Sequence, residues 1–180
     1  MLQIQPIVSV AMFVLCFGCG ASTAPDLGRP ADLLGPDLAG PVMMCLSGQY
    51  LGTYTGTVTL GGILPLKTSG TVDLTLGTTS DGEFFQITNG KLVGKASGNA
   101  YTADVEGKLN CSTLKLEMGF LQNGSVTVTG LTYGFEGPML ADYDPLTATF
   151  VNATWSITQT SGPMIGASDT GMGTWTAHHM

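Results

Sequence analysis

Tyr50-Leu51-Gly52-Thr53-Tyr54-Thr55-Gly56-Thr57-Val58-Thr59-Leu60 decides the fold. Tyr50, Gly52, Tyr54, Gly56, Val58 and Leu60 occupy one phase of a two-residue period, and Leu51, Thr53, Thr55, Thr57 and Thr59 the other. Successive side chains of an extended strand point to opposite faces, so this stretch has one wall for a core and a Thr-lined wall for water. Threonine suits that wall because a β-branched side chain packs well on a pleated surface.

The same pattern spreads outward from this strand. Val72, Leu74 and Leu76 alternate with Thr71, Asp73 and Thr75. Tyr101, Ala103, Val105 and Leu109 alternate with Thr102, Asp104, Glu106 and Lys108. Leu114, Leu116, Met118 and Phe120 are read on one face opposite Lys115, Glu117 and Gly119, and Val126 and Val128 opposite Ser125, Thr127 and Thr129. Glu83–Thr88, Lys91–Ala96, Tyr133–Tyr143, Thr147–Thr158 and Gly171–His178 are further candidate strands. Asp81-Gly82, Asn89-Gly90, Ser97-Gly98-Asn99 and Asn123-Gly124 read as hairpin turns, since both central residues of the favoured two-residue turn need positive φ.

The expectation is an all-β domain, an antiparallel meander of about eight to ten strands that must close or fold over to hide its apolar wall and its edges. A small up-and-down β-barrel is one solution and a two-sheet β-sandwich the other. In-strand glycines at 52, 56, 94, 107, 130, 137 and 173 suit the tight curvature of a barrel. If the barrel closes, Gly171–Ala177 lies beside Tyr50–Leu60, with Trp175 pointing inward at the depth of Tyr54.

Before residue 45 the character changes. An apolar run from Ile7 to Phe17 ends at Gly18-Cys19, and is shorter than the roughly 20 residues a membrane-spanning helix needs. Pro25-Asp26-Leu27-Gly28, Pro30-Ala31-Asp32-Leu33 and Pro36-Asp37-Leu38-Ala39-Gly40-Pro41 follow, a degenerate repeat that reads as a disordered, extended spacer. This layout resembles a bacterial lipoprotein precursor, with Cys16 and Phe17 where that family usually has Leu and a small residue. The resemblance implies a signal peptide at 1–18, lipidation of Cys19, a tether through residue 44 and a β-domain at 45–180. It also implies a membrane as partner through the lipid anchor. Gly20, standing where Asp would mean inner-membrane retention, leans toward the outer membrane, on its periplasmic side or at the cell surface. The alternative is ordinary cleavage at Cys19-Gly20-Ala21 and a secreted soluble protein.

A second resemblance rests on Gly107-Lys108-Leu109-Asn110-Cys111, Phe135-Glu136-Gly137, Ala141-Asp142-Tyr143-Asp144, Thr154-Trp155 and Gly171-Met172-Gly173-Thr174-Trp175-Thr176-Ala177. With the Pro-Asp-Leu tether, these are similar to uncharacterised exported lipoproteins of the myxobacterial type. That resemblance implies a β-rich surface domain and brings no activity. With Cys16 in the signal and Cys19 lipidated, Cys45 and Cys111 are left as an even pair in an exported domain. They read as a disulfide, with two free thiols as the alternative.

Thirteen acidic against six basic residues, net −7, argue against nucleic acid, whose phosphates need a basic surface. Asp142 and Asp144 read as a solvated acidic turn, and His178 and His179 as a frayed terminus. Ser47, Ser69, Ser97, Ser112 and Ser161 lie in no nucleophile elbow. No acid–base pair is legible, so the reading is non-enzymatic, with no cofactor and no metal. The expected role is a structural or interaction module of the cell envelope, its partner an envelope protein. The rival is a barrel-type binder of a small apolar ligand or a sugar near Tyr54, Trp155 or Trp175.

Overall fold

Strands with one apolar wall hide it by rolling the sheet shut, and the chain does this with eight of them. A computed structural model describes residues 45–60, 64–79, 83–163 and 170–180. The signal, Cys19, the tether and the Asp81-Gly82 turn lie outside the described residues. The strands are β1 (Gly48–Leu60), β2 (Leu64–Thr78), β3 (Phe84–Ala96), β4 (Asn99–Asn110), β5 (Lys115–Val128), β6 (Leu131–Asp144), β7 (Thr149–Ser161) and β8 (Thr170–His179). Each pairs antiparallel with its sequence neighbour, and β8 returns to β1, closing an up-and-down barrel. The expected juxtaposition is met: Tyr54 stands directly opposite Trp175 across the closing seam. The sandwich is thereby set aside.

Two expected hairpin turns are not turns. Asn89-Gly90 lies inside β3 and Asn123-Gly124 inside β5, each beside a shift in pairing register. They are β-bulges, in which one extra residue re-phases a long strand without ending it. Glu83–Thr88 and Lys91–Ala96 are therefore one strand, as are Leu114–Phe120 and Val126–Thr129 for most of their length. A bulge also overturns a face assignment in β5. Met118 adopts φ 49°, so Leu116 points inward while Met118 and Phe120 turn outward, leaving Gly119 and Leu121 inside. Ser97-Gly98 is a true turn, both residues at positive φ, and Thr129-Gly130 makes a second one in place of a strand glycine.

The chain's end is likewise ordered. His179 belongs to β8, donates its backbone N–H to Ala148 O at 3.0 Å, and lies edge-on to Tyr50 at 5.1 Å between ring centroids. Asp142 and Asp144 sit on β6, not in a turn, as the expectation had it.

The interior is apolar and aromatic, and the outer wall carries Thr, Lys67, Lys91, Lys95, Asp104 and Glu106. That is the reverse of a membrane-spanning barrel, whose outer band is apolar. An eight-stranded barrel is just wide enough for side chains to fill. Here large rings fit only because the opposing wall lacks side chains. The Trp155 indole, rooted on β7, passes beneath β8 to β1, and its Nε1–H reaches Thr55 O at 3.3 Å. A Cβ on Gly173 would stand 2.6 Å from Nε1, and one on Gly56 would collide with the Trp155 ring and with Met172 O. Tyr54 crosses Gly70 and Gly94 in the same way, its Cε1 2.8 Å from where a Gly70 Cβ would be.

Gly56→Ala should therefore cost on the order of 3 kcal/mol or more by overpacking, since backbone and indole both block the methyl. Gly98→Ala, in open space but at φ +90°, should cost roughly 1 kcal/mol. Denaturant midpoints of the two variants check the order, and equal losses would show that the ring does not need the glycine gap.

Candidate functional site

The three residues singled out as ligand contacts do come together. Tyr54 and Trp155 meet edge to face at 6.3 Å, Tyr54 faces Trp175 across the seam, and Trp175 continues to Phe150 at 5.3 Å. Phe150 then contacts Tyr143 and Tyr50. All three are nearly fully buried. Both indole N–H groups donate to backbone carbonyls, Trp155 to Thr55 and Trp175 to Thr154 at 3.2 Å. They thus have no polar edge left to offer a sugar, and the column they form is packing that knits β1, β7 and β8.

The rim where the chain enters the barrel is stoppered. Cys45 and Cys111 form a disulfide, Cα atoms 5.7 Å apart, tying the entry segment to the β4–β5 turn. Beneath it the Tyr50 hydroxyl donates to Leu46 O at 2.8 Å, and it pairs with the Tyr143 hydroxyl at 3.0 Å. Desolvation, then the contact with Tyr143, raises the Tyr50 phenol well above the ordinary tyrosine range. Desolvation also raises Tyr54 and Tyr101, with the neighbouring Thr68 hydroxyl pulling Tyr54 the other way.

Outside, two bulges build the same polar arrangement. Asn123, at φ 52° on β5, donates to Asp104 on β4, which pairs with Lys91 on β3. Asn152, at φ 49° on β7, donates to Asp142 on β6, which pairs with Lys115 on β5 at 3.3 Å. The hydrogen bond from Lys91, then that from Asn123, lowers the Asp104 carboxyl, and Asn152 and then Lys115 do so for Asp142. These are exposed pairs and contribute little stability. The arrangement holds each carboxylate ionised against a bulged strand. Among the described residues no cluster of His, Cys, Asp and Glu could hold a metal ion.

On the outer wall an apolar groove of about 450 Å³ runs across β6, β7 and β8, lined by Pro138, Leu140, Thr154, Ser156, Met172 and Thr174. Its floor is Gly173, with Trp155 behind it. Phe120 pairs with Pro138 and extends the apolar strip onto β5. Leu140 is 60% exposed and Met172 68%, uncommon for such side chains in mid-strand. Reading each strand for its buried face missed this strip. Its signal was present, as Met139-Leu140-Ala141 and Phe120-Leu121 break the alternation with three and two apolar residues in succession.

Comparison with protein-family models, with curated proteins and with solved structures finds no match to this chain.

Two outcomes follow from this geometry. A group whose native pKa is raised stabilises below its unfolded value, near 10 for tyrosine, and loses that contribution as pH climbs toward the native value. Absorbance titration should thus leave at least Tyr50, Tyr54 and Tyr101 protonated past pH 10, then release them together as the barrel unfolds; independent titration near 10 would contradict the burial. Reducing the disulfide, which closes a 66-residue separation, should remove up to about 4 kcal/mol on chain-entropy grounds and lower Tm while leaving the barrel folded. Calorimetry with and without reductant reads this directly, and an unchanged Tm would mean the bond constrains nothing.

Proposed function

We propose that this chain is a lipid-anchored protein of the cell envelope, bound to the outer membrane through Cys19. In this reading its β-barrel is a structural or interaction module that meets a partner protein with the outer wall of β5, β6 and β8. The observation that carries it is the exposed strip of Phe120, Pro138, Leu140 and Met172, which gathers around one groove while other exposed apolar side chains such as Val93 on β3 and Leu146 in the β6–β7 turn stand outside it. Exposed apolar patches bordered by polar residues mark contact surfaces in folded proteins. Thr154, Ser156 and Thr174 supply that border here. The Cys45–Cys111 disulfide fits an oxidising, exported compartment. Interior ligand binding has less support, because both indole N–H groups that would line such a site are already bonded to backbone carbonyls.

Expression of the full chain in a bacterium with an outer membrane tests both halves. Wild-type protein should fractionate with the outer membrane and Cys19→Ser should not; an unlipidated mature end at Ser22 would overturn the anchor. A photo-crosslinking side chain at position 140 should give a discrete adduct, whereas one at Thr53 on the Thr-lined wall should give none. Equal labelling from both positions, or none from 140, would overturn the contact surface.

A further inference from the structure

Most buried polar atoms in the barrel have partners, and three that lack them gather in one corner. Tyr54 Oη on β1, Thr68 Oγ1 on β2 and Tyr101 Oη on β4 make no hydrogen bond of normal geometry to protein, although the residues are only 1%, 3% and 1% exposed and the Thr68 hydroxyl lies near enough to Tyr54 to oppose the effect of its burial. The topology brings them together. The Tyr54 ring crosses β2 at Gly70 and ends at β3, where its hydroxyl lies 2.5 Å from the position a Gly94 Cβ would take. Gly94 is the register partner of Tyr101, and Thr68 is the partner of Ala96, two residues farther along β3. The Tyr54 and Tyr101 rings are 6.2 Å apart. The inward positions nearby on β2, β3 and β4 are small: Gly70, Gly94, Ala96 and Ala103.

We propose that this corner is an internal hydration site, in which one ordered water bridges the hydroxyls of Tyr54, Thr68 and Tyr101. A buried hydroxyl without a partner is costly, whereas Phe or Val would fill nearly the same space at no such cost. Three such hydroxyls converging from three strands therefore mark a shared ligand. Each is both donor and acceptor, and a water molecule typically makes about three hydrogen bonds to otherwise unsatisfied buried groups. Gly70 and Gly94 are taken up by the Tyr54 ring, so the short side chains beside the hydroxyls are those of Ala96 and Ala103, and the aromatic rings close the corner from the rest of the core. The water would take the place of a side-chain network, linking β1, β2 and β4 through these three hydroxyls.

Tyr54→Phe, Tyr101→Phe and the double variant remove the hydroxyls while keeping the rings that pack the core. Each single variant should lower Tm by about 2–5 °C, and the double should lose less than the sum, because both bonds go to one molecule. Oxygen-17 relaxation dispersion, which counts long-lived internal waters, should find one fewer in the double variant than in the wild type. Either single variant melting at or above wild type would overturn the proposal, since an unpaired hydroxyl is better removed. Additive losses or an unchanged water count would overturn it as well.

Discussion

Everything in this barrel depends on β1 pairing with β8. A meander of eight strands left open would expose its apolar wall and two edges, and closure removes all three liabilities at once. The seam is built for it. β1 keeps an unbroken register with β8 from Tyr50 opposite His179 to Thr59 opposite Thr170, and an equally unbroken one with β2. Every other pairing contains at least one register shift. Curvature is therefore loaded onto the β2–β8 arc, and the regular strand is reserved for the place where the ends must meet. Trp155 reinforces the seam from inside, bridging from β7 past β8 to the backbone of β1.

That bridge explains the glycines and the filled interior together. A ring lying flat against a sheet needs a stretch of wall without side chains, and Gly56, Gly171 and Gly173 provide one for Trp155 as Gly70 and Gly94 do for Tyr54. Fully burying one large apolar side chain contributes roughly 1.5–3 kcal/mol, so the aromatic column from Tyr50 to Tyr101 is a main source of stability. The same column occupies the volume that a ligand-binding barrel of this size would leave open. On the outside, the bulges and the Leu140–Met172 strip distinguish one face from the rest.

Alternation in Tyr50–Leu60 and its counterparts was enough to read an antiparallel all-β domain, the inward set of β1, β2 and β4, and the facing of Tyr54 and Trp175. The Cys45–Cys111 pairing was also legible, because only one pair remained once the other two cysteines were assigned elsewhere. Asn89-Gly90 and Asn123-Gly124 misled because an Asn-Gly pair suits a bulge as well as a two-residue turn, and only Asn123 of the four residues takes up positive φ. Which one forms depends on whether the neighbouring strand continues, and that neighbour lies elsewhere in the chain.

By itself, then, the sequence determined local matters: strand character, which side of most strands is apolar, and the true turn at Ser97-Gly98. These follow from period-2 geometry and backbone sterics acting on adjacent residues. Only the tertiary structure decided that the sheet closes, that Met118 and Phe120 face outward, that His179 is held, and that the Trp155 indole reaches the backbone of β1. Each of these hangs on partners far apart in the chain, such as Trp155 with Thr55, 100 residues away. Their proximity is set by strand number and register together, which no local pattern encodes.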